Sequence, residues 1–212
     1  MELAVHLFLS LDGVYTSPGA PDETPGRYFE KGGWVIPFGD DEFGAIVDGW
    51  FAATDALLLG RVTYEIFAGF WPQVTDPDNA VAARLNGARK YVASRTLTAP
   101  EWANTTVLDG DALAGVRRLR EAPGGELQVH GSGALARSLH VAGLVDVYRL
   151  IIAPVVLGSG ERLFEPGCPP SGFEVVTQRT TSQGLTYLEL RPAHLRQAVP
   201  TIEDGREVVH AL

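Results

Sequence analysis

A short apolar run that ends at a glycine or hydroxyl residue and opens into a helical pattern is the feature that most constrains this chain, because it occurs three times. Leu127-Gln128-Val129 reads as a buried strand, Gly131-Ser132-Gly133 as a turn, and residues 134–142 as a helix with Leu135, Leu139 and Ala142 on one face. Residues 56–59 form a second aliphatic strand, ending in Gly60-Arg61, with Thr63 in the first turn of the following helix. Lys90-Tyr91-Val92-Ala93 is a third strand and ends in Ser94-Arg95. If the three strands are parallel, the chain is α/β and their carboxyl ends lie along one sheet edge, where open sheets of this kind bind nucleotides.

The chemistry of such junctions is that of an anion site. The first N–H groups of a helix have no carbonyl partners and sit at the positive end of its dipole. Glycines let a phosphate approach the backbone, and a nearby guanidinium adds a fixed charge. Each junction also has a plainer reading: Gly-x-Gly pairs are mostly turns, Thr63 and Glu65 suit a helix cap, and an exposed arginine is usually only solvated. Recurrence on one sheet favours a shared ligand.

Composition narrows the partners. With 212 residues, 45% apolar and 20% charged, the chain suits one well-filled core. We expect one domain over residues 1–191, and residues 192–212, which lack a strand pattern, as a loosely attached extension. A net charge of −9, from 17 basic against 26 acidic residues, disfavours nucleic acid and anionic membrane. An anionic cofactor must therefore be held by local groups. Cys168 is the sole cysteine, which rules out an intrachain disulfide and a cysteine-rich zinc site. His6, His140, His194 and His210 share no spacing with carboxylates that would make a metal site, so no metal is expected. The apolar segment 3–9 is too short for a membrane span and is a poor signal peptide, and a cytoplasmic location is expected.

The remaining pattern sets the layout. Residues 3–9 read as the first strand, and 14–41, rich in Gly, Pro, Asp and aromatics, as a long loop of the length usually kept for binding, here a lid. Residues 43–52 read as a helix with Phe43, Ile46, Val47 and Trp50 as its buried stripe. Further helices are expected at 81–87 and 111–121, the latter capped by Asp111, and strands at 105–108, 147–156, 173–179 and 185–190, the last two a hairpin around Ser182-Gln183-Gly184. Trp34 and Trp50, with Phe38, are candidates for a stacking wall against a heteroaromatic substrate; equally they can be core or loop anchors.

The segments Phe8-Leu9-Ser10-Leu11-Asp12-Gly13, Leu59-Gly60-Arg61-Val62-Thr63-Tyr64-Glu65, Ser94-Arg95, Gly131-Ser132-Gly133, and 148–164 with Pro154, Leu157-Gly158-Ser159-Gly160 and Phe164 carry a family likeness. Over roughly residues 3–191 the chain resembles the dihydrofolate reductase superfamily, in the branch that includes the reductase domain of bacterial riboflavin biosynthesis and its stand-alone relatives. The resemblance implies a dihydrofolate-reductase-like fold, with a mixed, mostly parallel central sheet flanked by helices. It also implies NADPH, with Gly60, Arg61 and Thr63 on one side of the phosphates, Gly131, Ser132 and Gly133 on the other, and Ser94 and Arg95 at the ribose 2′-phosphate. The first-strand motif, with Ser10 and Gly13, would lie beside the nicotinamide, and Asp12 is the acid nearest that pocket. Asp12 is therefore the candidate catalytic residue, against the alternative that Asp12-Gly13 is only a turn.

Departures from the family refine the expectation. The zinc deaminase signature that accompanies this reductase in bifunctional relatives is absent, so only the reductase half is expected. His130 stands where many relatives have a small residue and can crowd the site or pack. Gly44 falls where folate reductases carry their pterin-gripping acid, Asp41 and Glu42 matching only with a gap, so folate is not the expected substrate. The favoured function is an NADPH-dependent reductase of a small heterocyclic or carbonyl compound. The alternative is a non-catalytic NADPH- or ligand-binding sensor. The partners expected are a small-molecule substrate and, as the one macromolecular partner left open, a second copy in a homodimer.

Overall fold

The structure is a computed structural model that describes residues 1–108 and 110–211. In chain order the elements are β1 (Glu2–Ser10), α1 (Asp41–Ala52), β2 (Thr54–Gly60), α2 (Arg61–Phe70), α3 (Ala80–Gly87), β3 (Arg89–Ala93), β4 (Thr105–Val107), α4 (Ala112–Glu121), β5 (Glu126–His130), α5 (Gly133–Val141), β6 (Val147–Ala153), β7 (Gly172–Thr180), β8 (Thr186–Ala193), β9 (Ala198–Glu203) and β10 (Arg206–Ala211). No helix among the described residues is long and apolar enough to cross a membrane.

Eight strands form one sheet in the order β4-β3-β2-β5-β1-β6-β8-β7. From β4 to β6 every pairing is parallel, and β8 and β7 are added antiparallel at one end. This is the mixed, mostly parallel sheet expected. The central strands are apolar on both faces because helices cover both, as parallel sheets require. Leu3, Val5, Leu7, Leu127 and Val129 meet Val116 of α4 and Ala136 and Leu139 of α5. On the opposite face Ile46 and Trp50 of α1 pack on Ile151, Ala153 and Tyr187, while Tyr64 and Leu85 cover Leu57, Leu59 and Val92.

Most expected elements fall within a residue or two of their positions. The stripe of α1 is shifted: Ile46, Trp50 and Phe51 are its buried residues, and Phe43 and Val47 are half-buried. The long loop contains a short 3-10 turn at Ile36–Phe38. The tail differs more. Pro192 and Ala193 still belong to β8, pairing with Phe173 and Gly172. Residues 198–211 form an antiparallel hairpin, β9 with β10, turned at Asp204 and Gly205, whose φ angles are 50° and 75°. Two consecutive positive φ angles suit the Asp-Gly turn that matches strand twist, so the tail is structured where no strand pattern was expected.

Candidate functional site

The carboxyl ends of β2, β3 and β5 lie along one edge of the sheet, because β2 pairs in parallel with both β3 and β5. The helices that leave β2 and β5 differ from the rest in how they begin. Asp40, Asn79 and Asp111 cap α1, α3 and α4 by accepting the N–H groups of Phe43, Ala82 and Leu113. Gly60 and Ser132, at the N-caps of α2 and α5, make no side-chain cap bond. The Ser132 hydroxyl instead accepts the Gly60 N–H at 2.9 Å, so it holds the two helix starts against each other. Gly131, at φ +60°, lies so close that an added Cβ would stand 3.2 Å from Thr63 Cγ2. Two uncapped helix N-termini side by side keep donors for an anion, with two dipoles of one sign converging on it.

The third strand end, at Ser94-Arg95, does not open into the helix expected of it, β3 being followed by a loop and then β4, and it joins the site through Arg61. Its Nε–H donates to Glu65 at 2.7 Å, and an Nη1–H donates to the Thr96 hydroxyl. Ser94 Oγ accepts the N–H groups of Thr96 and Leu97 at 3.2 and 3.0 Å, which shapes the turn that presents Arg95. The Arg95 side chain is exposed. The structure thus brings Gly60, Arg61, Thr63, Ser94, Arg95, Gly131, Ser132 and Gly133 into one continuous rim.

The end of β1 completes the edge. Asp12 accepts from Ser10 Oγ at 2.7 Å, from the Leu157 and Gly158 N–H groups at 3.0 and 2.9 Å, and from Arg162 Nη2 at 2.9 Å. These donors, Ser10 first, hold its carboxyl far below the usual carboxylate range. Gly13 takes φ +77°, and its N–H closes a turn on Ser10 O. A carboxylate with four donors and a lowered pKa is a poor proton source; the geometry matches the turn alternative, extended into a clamp on the 157–162 loop. Arg162 takes Asp12 as its ion-pair partner.

Tyr15 is a residue that sequence reasoning misses. Its ring fills the notch at Gly133, where an added Cβ would lie 2.2 Å from Tyr15 Cε1, and its hydroxyl donates to Glu161 at 2.7 Å. Burial and Glu161 push the phenol above its ordinary range. No local signal marks a tyrosine that packs on a glycine over a hundred residues away.

The proposed stacking wall is corrected. Trp34 and Trp50 are only 7% and 4% exposed. Trp34 donates its indole N–H to Thr16 O at 2.9 Å, anchoring the long loop, and Trp50 lies among His6, Phe8 and Tyr187. Neither offers a face to a ligand. The aromatics left half-buried on that face of the sheet are Phe8, Phe38 and Phe43, with Phe8 and Phe43 5.6 Å apart. His130 packs: it stacks on His6 and Phe51, each at 4.6 Å, bonds Gln128 Oε1 at 2.7 Å, and is brought down to about 3 by burial, with Arg149 adding to the effect.

A family model described as the RibD C-terminal domain matches residues 2–187. The chain belongs to that family. It is 32% identical over 137 residues to the uncharacterized protein YyaP of Bacillus subtilis, covering 63% of this chain and 72% of YyaP. A putative riboflavin biosynthesis protein from a Shewanella species has the same fold, with a TM-score of 0.65 at 20% identity over 92% of this chain and 100% of that one. A diaminohydroxyphosphoribosylaminopyrimidine deaminase/5-amino-6-(5-phosphoribosylamino)uracil reductase from Thermotoga maritima superposes with a TM-score of 0.59 at 16% identity, over 91% of this chain and 56% of that one.

Proposed function

We propose that this protein is an NADPH-dependent reductase of a small heterocyclic or carbonyl compound. The observation that carries the reading is the pair of uncapped helix starts held together by Ser132 and Gly60. Membership of a family named for a reductase-containing riboflavin protein supports the same reaction class. In this reading Gly60, Arg61, Thr63, Gly131, Ser132 and Gly133 hold the pyrophosphate, and Ser94 and Arg95 the 2′-phosphate. Ser10 and Gly13 border the nicotinamide.

NADPH, when bound, supplies the hydride. The chain's own residues bind and orient. Phe8 and Phe43, rather than the two tryptophans, present the aromatic surface for a flat substrate. Asp12 is a positioning residue: it ties the end of β1 to the 157–162 loop, leaving water to deliver the proton. The test is to titrate NADPH and NADH, then follow NADPH oxidation against a panel of pterins, aminopyrimidines, quinones and aldehydes. Turnover of one compound supports the reductase. Tight NADPH binding with no turnover across the panel moves the weight to a sensor, and no NADPH binding ends the reductase reading and leaves only a sensor of another ligand.

A further inference from the structure

The substrate side of the site has a chemistry of its own. Phe8 shares a face of β1 with Ser10, two residues on. Phe8, Phe38, Phe43, Val155 and Leu157 all pack on the core cluster formed by α1 and β6, and each keeps part of its surface in solvent. The Leu11 N–H donates to Val155 O at 2.8 Å and the Leu157 N–H to Asp12 at 3.0 Å. These bonds fix an apolar wall beside the end of β1, on the α1 face of the sheet.

The segments that frame this wall, residues 14–52 and 154–163, contain three basic residues against eight acidic ones. All three bases are bonded within the chain. Lys31 donates to Leu157 O and Ser159 Oγ. Arg162 donates from Nε to Asp12 O and from Nη2 to the Asp12 carboxylate, each at 2.9 Å. Arg27 pairs with Glu161, the partner of Tyr15 on the α5 side, at 3.6 Å. That last pair is exposed and weak, but the first two fasten the loops that make the wall. The start of α1 is closed as well: Asp40 accepts the Phe43 and Gln183 N–H groups, and Glu42 accepts that of Ser182.

This contrasts with α2 and α5, whose starts stay open for the cofactor's phosphates. A phosphate on the substrate would leave water for an apolar wall bordered by carboxylates, and an unpaired charge is the costliest group to bury. Drawing on Lys31 or Arg162 instead would release the loops they hold. An uncharged flat ring meets neither penalty, and it gains contact with Phe8 and Phe43, whose ring centroids lie 5.6 Å apart.

We propose that the substrate is an uncharged flat ring that carries no phosphate, held against Phe8, Phe38 and Phe43; this rests on the reductase reading above. Calorimetric titration of the full chain saturated with NADP+ tests it. The probes are lumazine and two matched pairs, riboflavin with its 5′-phosphate and cytidine with its 5′-phosphate. At least one phosphate-free probe should bind, and a phosphate-free member should bind at least about tenfold more tightly than its phosphorylated partner. Phe43→Leu, which keeps an apolar side chain against the core, should weaken the bound probe, with thermal melts to check folding. Ile36→Arg, at a position 61% exposed and two residues from Phe38, should narrow the gap within a pair. A chain that does not bind NADP+ removes the reductase reading and this inference with it. With NADP+ bound, a phosphorylated member that binds as well as its partner, or no binding by any phosphate-free probe, overturns the substrate class and leaves the reductase standing.

Discussion

The Ser132 hydroxyl accepts the backbone N–H of Gly60 at 2.9 Å, so a side chain placed to cap one helix serves instead to fasten two. Ser132→Ala leaves that N–H without its acceptor and frees the helix starts to separate. Loss of such a bond costs about 1 kcal/mol of stability, whereas the loss in NADPH affinity should be larger, about tenfold or more. Melting with and without NADPH separates the two: the unliganded midpoint falls slightly and the NADPH-induced rise shrinks.

Arg95→Ala tests the 2′-phosphate assignment. Charge-assisted hydrogen bonds are worth roughly 1.5–3 kcal/mol, so NADPH should bind about tenfold or more weakly while NADH is nearly unaffected. Equal losses for both cofactors remove Arg95 from that role.

Gly131→Ala puts a Cβ at φ +60° and 3.2 Å from Thr63 Cγ2. The left-handed conformation alone costs about 1–2 kcal/mol, and the tight contact pushes α2 from α5. Both stability and NADPH binding should fall, and Thr63→Ser in the same chain should recover part of each. A variant with wild-type NADPH affinity would show that phosphate does not rest on this turn.

Asp12→Asn discriminates clamp from acid. Because the folded carboxyl titrates lower than in the unfolded chain, its stabilisation is present above about pH 3.9 and is lost as pH falls toward the lowered folded value. The variant should be less stable at pH 7 by about 1–2 kcal/mol for a partly exposed pair, and the gap should close as the solution is acidified below pH 4. A proton donor would instead show unchanged stability with turnover reduced roughly 10²–10⁴-fold.

His130 makes the fold acid-sensitive from a higher pH. Its folded value, about 3, lies below the roughly 6.5 of an unfolded histidine, so the unfolded chain binds more protons between those values. Stability therefore rises with pH through that window, by up to about 1.4 kcal/mol per unit. His130→Phe keeps a ring against Phe51, and Gln128 Oε1 retains its bond from Thr54 at 2.7 Å. Denaturant unfolding between pH 4 and 6.5 should show a shallower slope for the variant.

What is readable in sequence and what is not divides along chain distance. The junctions at Gly60 and Gly131 are legible because strand, turn and helix start lie within a dozen residues and carry their own periodicity, whereas at Ser94 only the strand end is, since the chain runs from β3 through a loop to β4. The pairs Asp12–Arg162 and Tyr15–Gly133 are not, since only the completed sheet brings the end of β1 to the loop after β6 and to the start of α5. Trp34 and Trp50 look like binding aromatics because composition shows size and not direction. The Asp204-Gly205 turn between Val- and Ile-bearing segments is a local signal, and a tail read only for loss of pattern passes over it.

The position of β1 gives the molecule a clock. It is the first strand in chain order, yet its neighbours are β5, from Glu126, and β6, from Val147. Closing loops of that length precedes any reward from pairing, which slows folding. On a ribosome the first nine-residue strand waits unpaired while over a hundred residues follow, and the centre of the sheet closes only after β2, β3 and β4 have emerged.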